Sequence, residues 1–67
     1  MANIWQHYKG GVYNVLHMAT HTETNEGFVV YQDGKGKVWV RPFEMFFEMI
    51  EVDGVELPRF VKLGDFK

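Results

Sequence analysis

A run near the middle of the chain, Val38 to Phe47 (VWVRPFEMFF), restricts the fold more than any other. It is apolar and strand-forming, carries one arginine, stops at a proline and restarts as an aromatic turn. Arg41 lies between Trp39-Val40 and Pro42. An unpaired charge is costly to bury, so this guanidinium must reach water or find a partner. Alternation places Val38 and Val40 on one strand face and Lys37, Trp39 and Arg41 on the other. Pro42 suits the first position of a short helical turn, where its missing N–H does no harm. Phe43, Phe46 and Phe47 then fall at helical spacing, able to plug the open end of a barrel.

The flanking sequence is rich in strand and turn signals. Val12 to Thr20 (VYNVLHMAT) has apolar residues on both parities, as a long, bent strand serving two sides requires. Thr24-Asn25-Glu26-Gly27 reads as a turn, Phe28 to Gln32 as a strand and Asp33-Gly34-Lys35-Gly36 as a tight loop. Met49 to Val52 and Val55 to Leu57 flank Asp53-Gly54, a dipeptide favoured in two-residue hairpins. Pro58 limits the second of these strands to an edge or an end. Lys62 to Lys67 reads as a loosely held tail. The expected fold is mainly β: a small, SH3-like, strongly bent sheet or barrel of four to five strands with one short helical turn. Residues 1–67 form one domain.

At 67 residues a chain buries only about 60% of its unfolded surface and is marginal alone. There is no cysteine to staple it, but six Phe, three Tyr and two Trp supply large buried areas. Oligomerisation is the other usual support. Phe43, Met45, Phe46, Phe47 and Met49 crowd a short segment and form the candidate interface of a homo-oligomer.

Several chemistries are excluded. Without serine or cysteine, Ser–His and Cys–His nucleophilic catalysis is impossible. Gly34-Lys35-Gly36 is too short for a phosphate loop and precedes no helix. His17 and His21 have helical metal-ligand spacing, but on a strand about 13 Å would separate them, so no metal site or cofactor is expected. The net charge of −2 disfavours general nucleic-acid binding. Charge is nonetheless uneven: Lys35, Lys37 and Arg41 stand near one another, whereas Glu44, Glu48, Glu51, Asp53 and Glu56 form a stretch without a base. No membrane span or signal peptide is read, and a cytoplasmic location is expected.

The candidate ligand site comprises Lys9, His21, Glu23, Tyr31, Trp39 and Arg41. Rings and cations in this set suit stacking and charge pairing with a planar anion. His21 and Glu23 are same-face neighbours if the strand persists, a geometry that raises an imidazole's pKa for acid–base work. Each has a plain structural reading: Trp39 and Tyr31 as core rings, Lys9 as a surface partner of an acid, and Arg41 as a clamp on Glu44 or Glu48.

Several motifs together resemble a known family. His7-Tyr8-Lys9-Gly10, Tyr13-x-Val15, Ala19-x-His21-Thr22-Glu23-Thr24-x-Glu26, Val29-Val30-Tyr31, Trp39-Val40-Arg41-Pro42-x-x-Met45-Phe46, Val52-Asp53-Gly54 and Pro58-Arg59-Phe60 occur in that order. From about His7 to Leu63 the chain resembles the small bacterial domain of unknown function sixteen fifty-three. Thr22 stands where that family often has serine, and the loop from Gln32 to Lys37 is shorter than usual. The resemblance implies a compact, mostly β domain from a bacterium or phage and transfers no activity. A small non-enzymatic module for a nucleotide-like or other anionic ligand is the leading expectation, with ligand sequestration as its form in a phage. A protein-interaction or assembly domain is the second. An acid–base enzyme using His21 and Glu23, supported by one pair alone, is the third.

Overall fold

The computed structural model describes residues 2–66. Seven strands and one helical turn follow one another: β1 (Ala2–His7), β2 (Val12–Thr20), β3 (Gly27–Gln32), β4 (Val38–Pro42), α1 (Phe43–Phe46), β5 (Met49–Val52), β6 (Val55–Pro58) and β7 (Phe60–Phe66). The first four and the last form one antiparallel sheet in the order β4-β3-β2-β1-β7, while β5 and β6 pair with each other. The sheet is open, with β4 and β7 at its edges. The chain is therefore mainly β, as expected, but its sheet does not close into a barrel.

Local chemistry sets the turns. At the β1–β2 turn Gly10 has φ +107°, a left-handed value that a side chain would strain. In the β3–β4 turn one carboxylate oxygen of Asp33 accepts the backbone N–H groups of Lys35 (2.9 Å) and Lys37 (3.0 Å). Between β5 and β6, Asp53 (φ +51°) and Gly54 (φ +78°) both take positive φ, as a mirror-image two-residue turn requires. Pro42 closes β4 and precedes α1, one position earlier than the first helical residue. β4 is an edge strand, so the missing N–H breaks no ladder in the sheet interior.

The mixed parity of β2 has a structural cause. Its register with β3 slips between Val15 and His17, an irregularity of the β-bulge kind. A bulge bends the strand and reassigns alternate residues to the other face. One expectation is corrected: the supposed tail from Lys62 belongs to β7, which pairs with β1, the N-terminal strand. Lys67 lies outside the described residues.

The core lies on one face of the sheet beneath α1. Val15, Val29, Tyr31, Phe46 and Phe60 are buried, with Trp5 and Tyr13 packed against them. Phe46 stacks on Phe60 with ring centroids 4.1 Å apart, and Tyr31 meets both rings edge-on. Trp5 abuts Phe46 and Phe47 at 5.5 and 5.4 Å. Aromatic contacts thus replace the aliphatic volume that a chain this short lacks. On the opposite face, Val12, Val38, Val40 and Val61 are exposed. Glu48 and Arg59 close the base of the β5–β6 hairpin. The Arg59 N–H donates to the Glu48 carbonyl at 3.0 Å, and the Arg59 guanidinium pairs with the Glu48 carboxylate.

Candidate functional site

The register between β3 and β4 puts Trp39 opposite Tyr31 and Arg41 opposite Val29, while β2 sets Val15 against Tyr31. Cross-strand partners share a face. Tyr31, Trp39 and Arg41 therefore lie on the core-bearing side of the sheet, Trp39 and Arg41 together as the alternation along β4 predicts. Arg41 is half-buried; its Nε donates to the Tyr31 hydroxyl at 3.3 Å, and its guanidinium carbon lies 5.7 Å from the centroid of Phe60. Among the described residues the ion pair is Glu48–Arg59, and no carboxylate reaches Arg41. The clamp reading, in which Arg41 pairs with Glu44 or Glu48, does not describe this structure.

Trp39 is already engaged. Its indole N–H donates to Asp33 at 3.0 Å, and the Lys37 ammonium lies 4.3 Å from the centroid of its ring. The indole hydrogen bond is the leading cause that lowers the pKa of Asp33, assisted by the backbone N–H groups of Lys35 and Lys37. This cluster orders the β3–β4 turn and covers part of the indole.

His21 and Glu23 stand elsewhere. β2 ends at Thr20, and the His21 Nδ1 accepts the backbone N–H groups of Glu23 (3.1 Å) and Thr24 (3.3 Å). The expected same-strand His–Glu pair does not form: the imidazole caps a turn and faces Phe28 at 6.1 Å. Lys9 is in the β1–β2 turn, at the other end of β2, with its ammonium 5.8 Å from the centroid of Tyr8. Of the candidate interface, Phe43, Met45, Phe47 and Met49 are exposed, but Phe46 is fully buried. Phe46 is a core residue and leaves the candidate surface.

The sheet also brings in residues that the sequence reading passed over. β1 and β7 set His7 opposite Phe60, and their rings meet edge-on at 4.9 Å. The Tyr8 N–H donates to the Arg59 carbonyl at 2.9 Å, which holds the segment before β7 beside the β1–β2 turn. His7 consequently lies within the fields of Arg41, Arg59 and Lys9. Burial first, then these three cations, lower its pKa below 6.5. The signal was present in His7-Tyr8-Lys9-Gly10 and Pro58-Arg59-Phe60, but only the β1–β7 pairing joins the two. What emerges is an aromatic floor of Tyr13, Tyr31 and Phe60 with cations around it. A separate open depression near the turns is lined by Gly11, Val12, Tyr13, Asp33, Gly34 and Lys35.

Comparison with known sequences gives a match to the family described as "Protein of unknown function (DUF1653)" over residues 3–62. The chain belongs to the DUF1653 family. The crystal structure of a DUF1653 protein from Bordetella bronchiseptica superposes with a TM-score of 0.85 at 27% identity, covering 100% of this chain and 91% of that one. A search of curated proteins gave no match. The DUF1653 match spans both segments that build the cationic cluster, His7 to Lys9 and Arg59 to Phe60. No helix among the described residues of this DUF1653 chain is long and apolar enough to cross a membrane.

Proposed function

We propose that this DUF1653 chain is a small binding module, not an enzyme, and that the sheet face around Arg41 takes an anionic, nucleotide-like ligand. The supporting observation is the state of Arg41. Its half-buried guanidinium has a phenol oxygen and a ring as neighbours, and no carboxylate among the described residues. A charge that deep is normally paired, and guanidinium is well matched to a bidentate grip on phosphate or carboxylate. The acid–base reading gains nothing: no hydrogen bond or ion pair among the described residues joins His21 to the Glu23 carboxylate.

A thermal-shift screen with a nucleotide panel, on the natural chain and on Arg41→Lys, tests the proposal. Lysine keeps the charge and loses the fork. Several nucleotides should raise the melting temperature of the natural chain and raise that of Arg41→Lys much less, while the unliganded proteins melt alike. If no ligand stabilises the natural chain and the variant melts early, Arg41 is structural and the binding role is wrong.

A second reading rests on α1. Phe43, Met45, Phe47 and Met49 are all exposed within one short stretch. Apolar clusters of this kind mark interfaces, and a second copy of the chain is the simplest partner. Light scattering at micromolar concentration should give at least a dimer mass; a clean monomer contradicts this reading.

A further inference from the structure

The aromatic floor carries more positive charge than its surroundings offset. Lys9 from the β1–β2 turn, Arg41 from β4 and Arg59 from the β6–β7 junction all act on His7. Among the described residues one carboxylate, Glu48, is ion-paired with this group, and it is engaged by Arg59. The Arg59 Nε is buried without an acceptor among the described residues. The Nδ1 of His7 accepts the Lys9 backbone N–H at 3.2 Å, so the neutral ring carries its proton on Nε2, which has no partner among the described residues. Arg41 gives its Nε to Tyr31, and its two terminal nitrogens have no acceptor among the described residues. His7 and Arg41 approach the same Phe60 ring, at 4.9 and 5.7 Å.

From this arrangement we infer that His7 and Arg41, with Lys9 and Arg59 supplying field, form a site for a doubly charged tetrahedral oxyanion: the terminal phosphomonoester of a small molecule. The inference rests on the anion-binding reading of the Arg41 face and names its ligand class. A dianion offsets the charges of Lys9 and Arg41 together, whereas a carboxylate or phosphodiester offsets only one of the two. Its oxygens can accept from the terminal nitrogens of Arg41 and from Nε2–H of His7 at once. Protonating His7 adds charge beside the anion, so binding takes up a proton. Among the described residues the charges acting on the ring are those of Lys9, Arg41 and Arg59, with Glu48 held by Arg59 and the Tyr8 ring 4.5 Å away. None of them is an unpaired acid that would reverse the sign.

Calorimetric titration of the full chain tests this with inorganic sulfate, adenosine 5′-monophosphate, ribose 5-phosphate, cyclic adenosine monophosphate and acetate. Sulfate should bind at least tenfold more tightly than acetate, and the 5′-monophosphate at least tenfold more tightly than the cyclic diester. Equal binding of the two monophosphates means that phosphate alone is read; tighter binding of the nucleotide means that its base is held as well. Both outcomes fit the dianion site. Sulfate does not titrate near neutrality, so its affinity should strengthen from pH 7.5 to 5.5 by up to about tenfold per unit, the limit for one proton. His7→Gln should flatten that profile. Should this variant fail to fold, the His7 ring can be titrated by NMR in the natural chain, where sulfate should raise its pKa. Acetate or the cyclic diester binding equally well overturns the dianion site while the anion-binding reading stands. A pH profile unchanged by His7→Gln, or a His7 pKa unmoved by sulfate, overturns the role of His7. If none of the five compounds binds, the anion-binding reading falls with it.

Discussion

Phe46→Ala separates the core reading of this residue from an interface reading by size of effect. The ring is 0% exposed, is stacked at 4.1 Å on Phe60 and makes edge contacts with Trp5, Tyr31 and Phe47. Truncating a phenylalanine so enclosed costs about 3–5 kcal/mol, the lost transfer energy plus the cavity left behind. A domain of 67 residues has a total stability of roughly 3–10 kcal/mol, at about 0.05–0.15 kcal/mol per residue. The variant should therefore lie at the edge of unfolding. In a domain this small each kcal/mol moves Tm by about 4–8 °C, so the melt should fall by roughly 12–40 °C. Phe47, one residue on and 38% exposed, provides the control: Phe47→Ala should cost only about 1 kcal/mol. Urea titrations followed by far-UV circular dichroism measure both. A Phe46→Ala midpoint no lower than that of Phe47→Ala would refute the core assignment and return Phe46 to the surface.

Three further outcomes are expected. His7 has a folded-state pKa below its unfolded value of 6.5, so the unfolded chain takes up its proton first and stability falls as pH drops from about 6.5 toward the lowered pKa; melts from pH 7.5 to 5 should show this decline, smaller in His7→Gln, and equal slopes would contradict it. Asp33, whose pKa is lowered mainly by the Trp39 indole, contributes stability at neutral pH that is lost as pH falls through its lowered value; Asp33→Ala should remove that acid dependence and change the tryptophan fluorescence, and an unaltered acid melt would count against the Asp33–Trp39 bond. Gly54→Ala should cost about 1 kcal/mol because alanine is strained at φ +78°, and a variant as stable as the natural chain in urea would show that the turn relaxes.

Legibility followed range. β2, β3, β4 and the Asp53-Gly54 hairpin were readable because alternation and turn residues are local, and so was the shared face of Trp39 and Arg41. β1 was hidden by its polar residues: Asn3, Trp5 and His7 point one way, Ile4 and Gln6 the other, and neither face is cleanly apolar. β7 was hidden by inversion, since Lys62 pairs with Trp5 across the sheet while Val61 is exposed. His21 was misplaced because β2 ends at Thr20, and nothing local distinguishes a turn-capping imidazole from one continuing the strand. The contribution of His7 and Arg59 depends on a pairing between distant segments, which no local pattern encodes. Phe46 and Phe47 look alike in sequence; only packing against the sheet separates the buried ring from the exposed one.

The pairing of β1 with β7 also dictates when this sheet can be finished. β1 precedes the other strands in the chain and must wait for β7, which follows them, before its second edge is satisfied. Until residues near Phe60 leave the ribosome, β1 has β2 alone, and Phe46 lacks the ring it stacks on. The nascent chain thus emerges with an incomplete core and an open edge, the condition in which pairing with other chains competes with folding. Closing so long a loop adds only about 0.6 kcal/mol per doubling of its length, so the burden falls on folding speed and not on final stability.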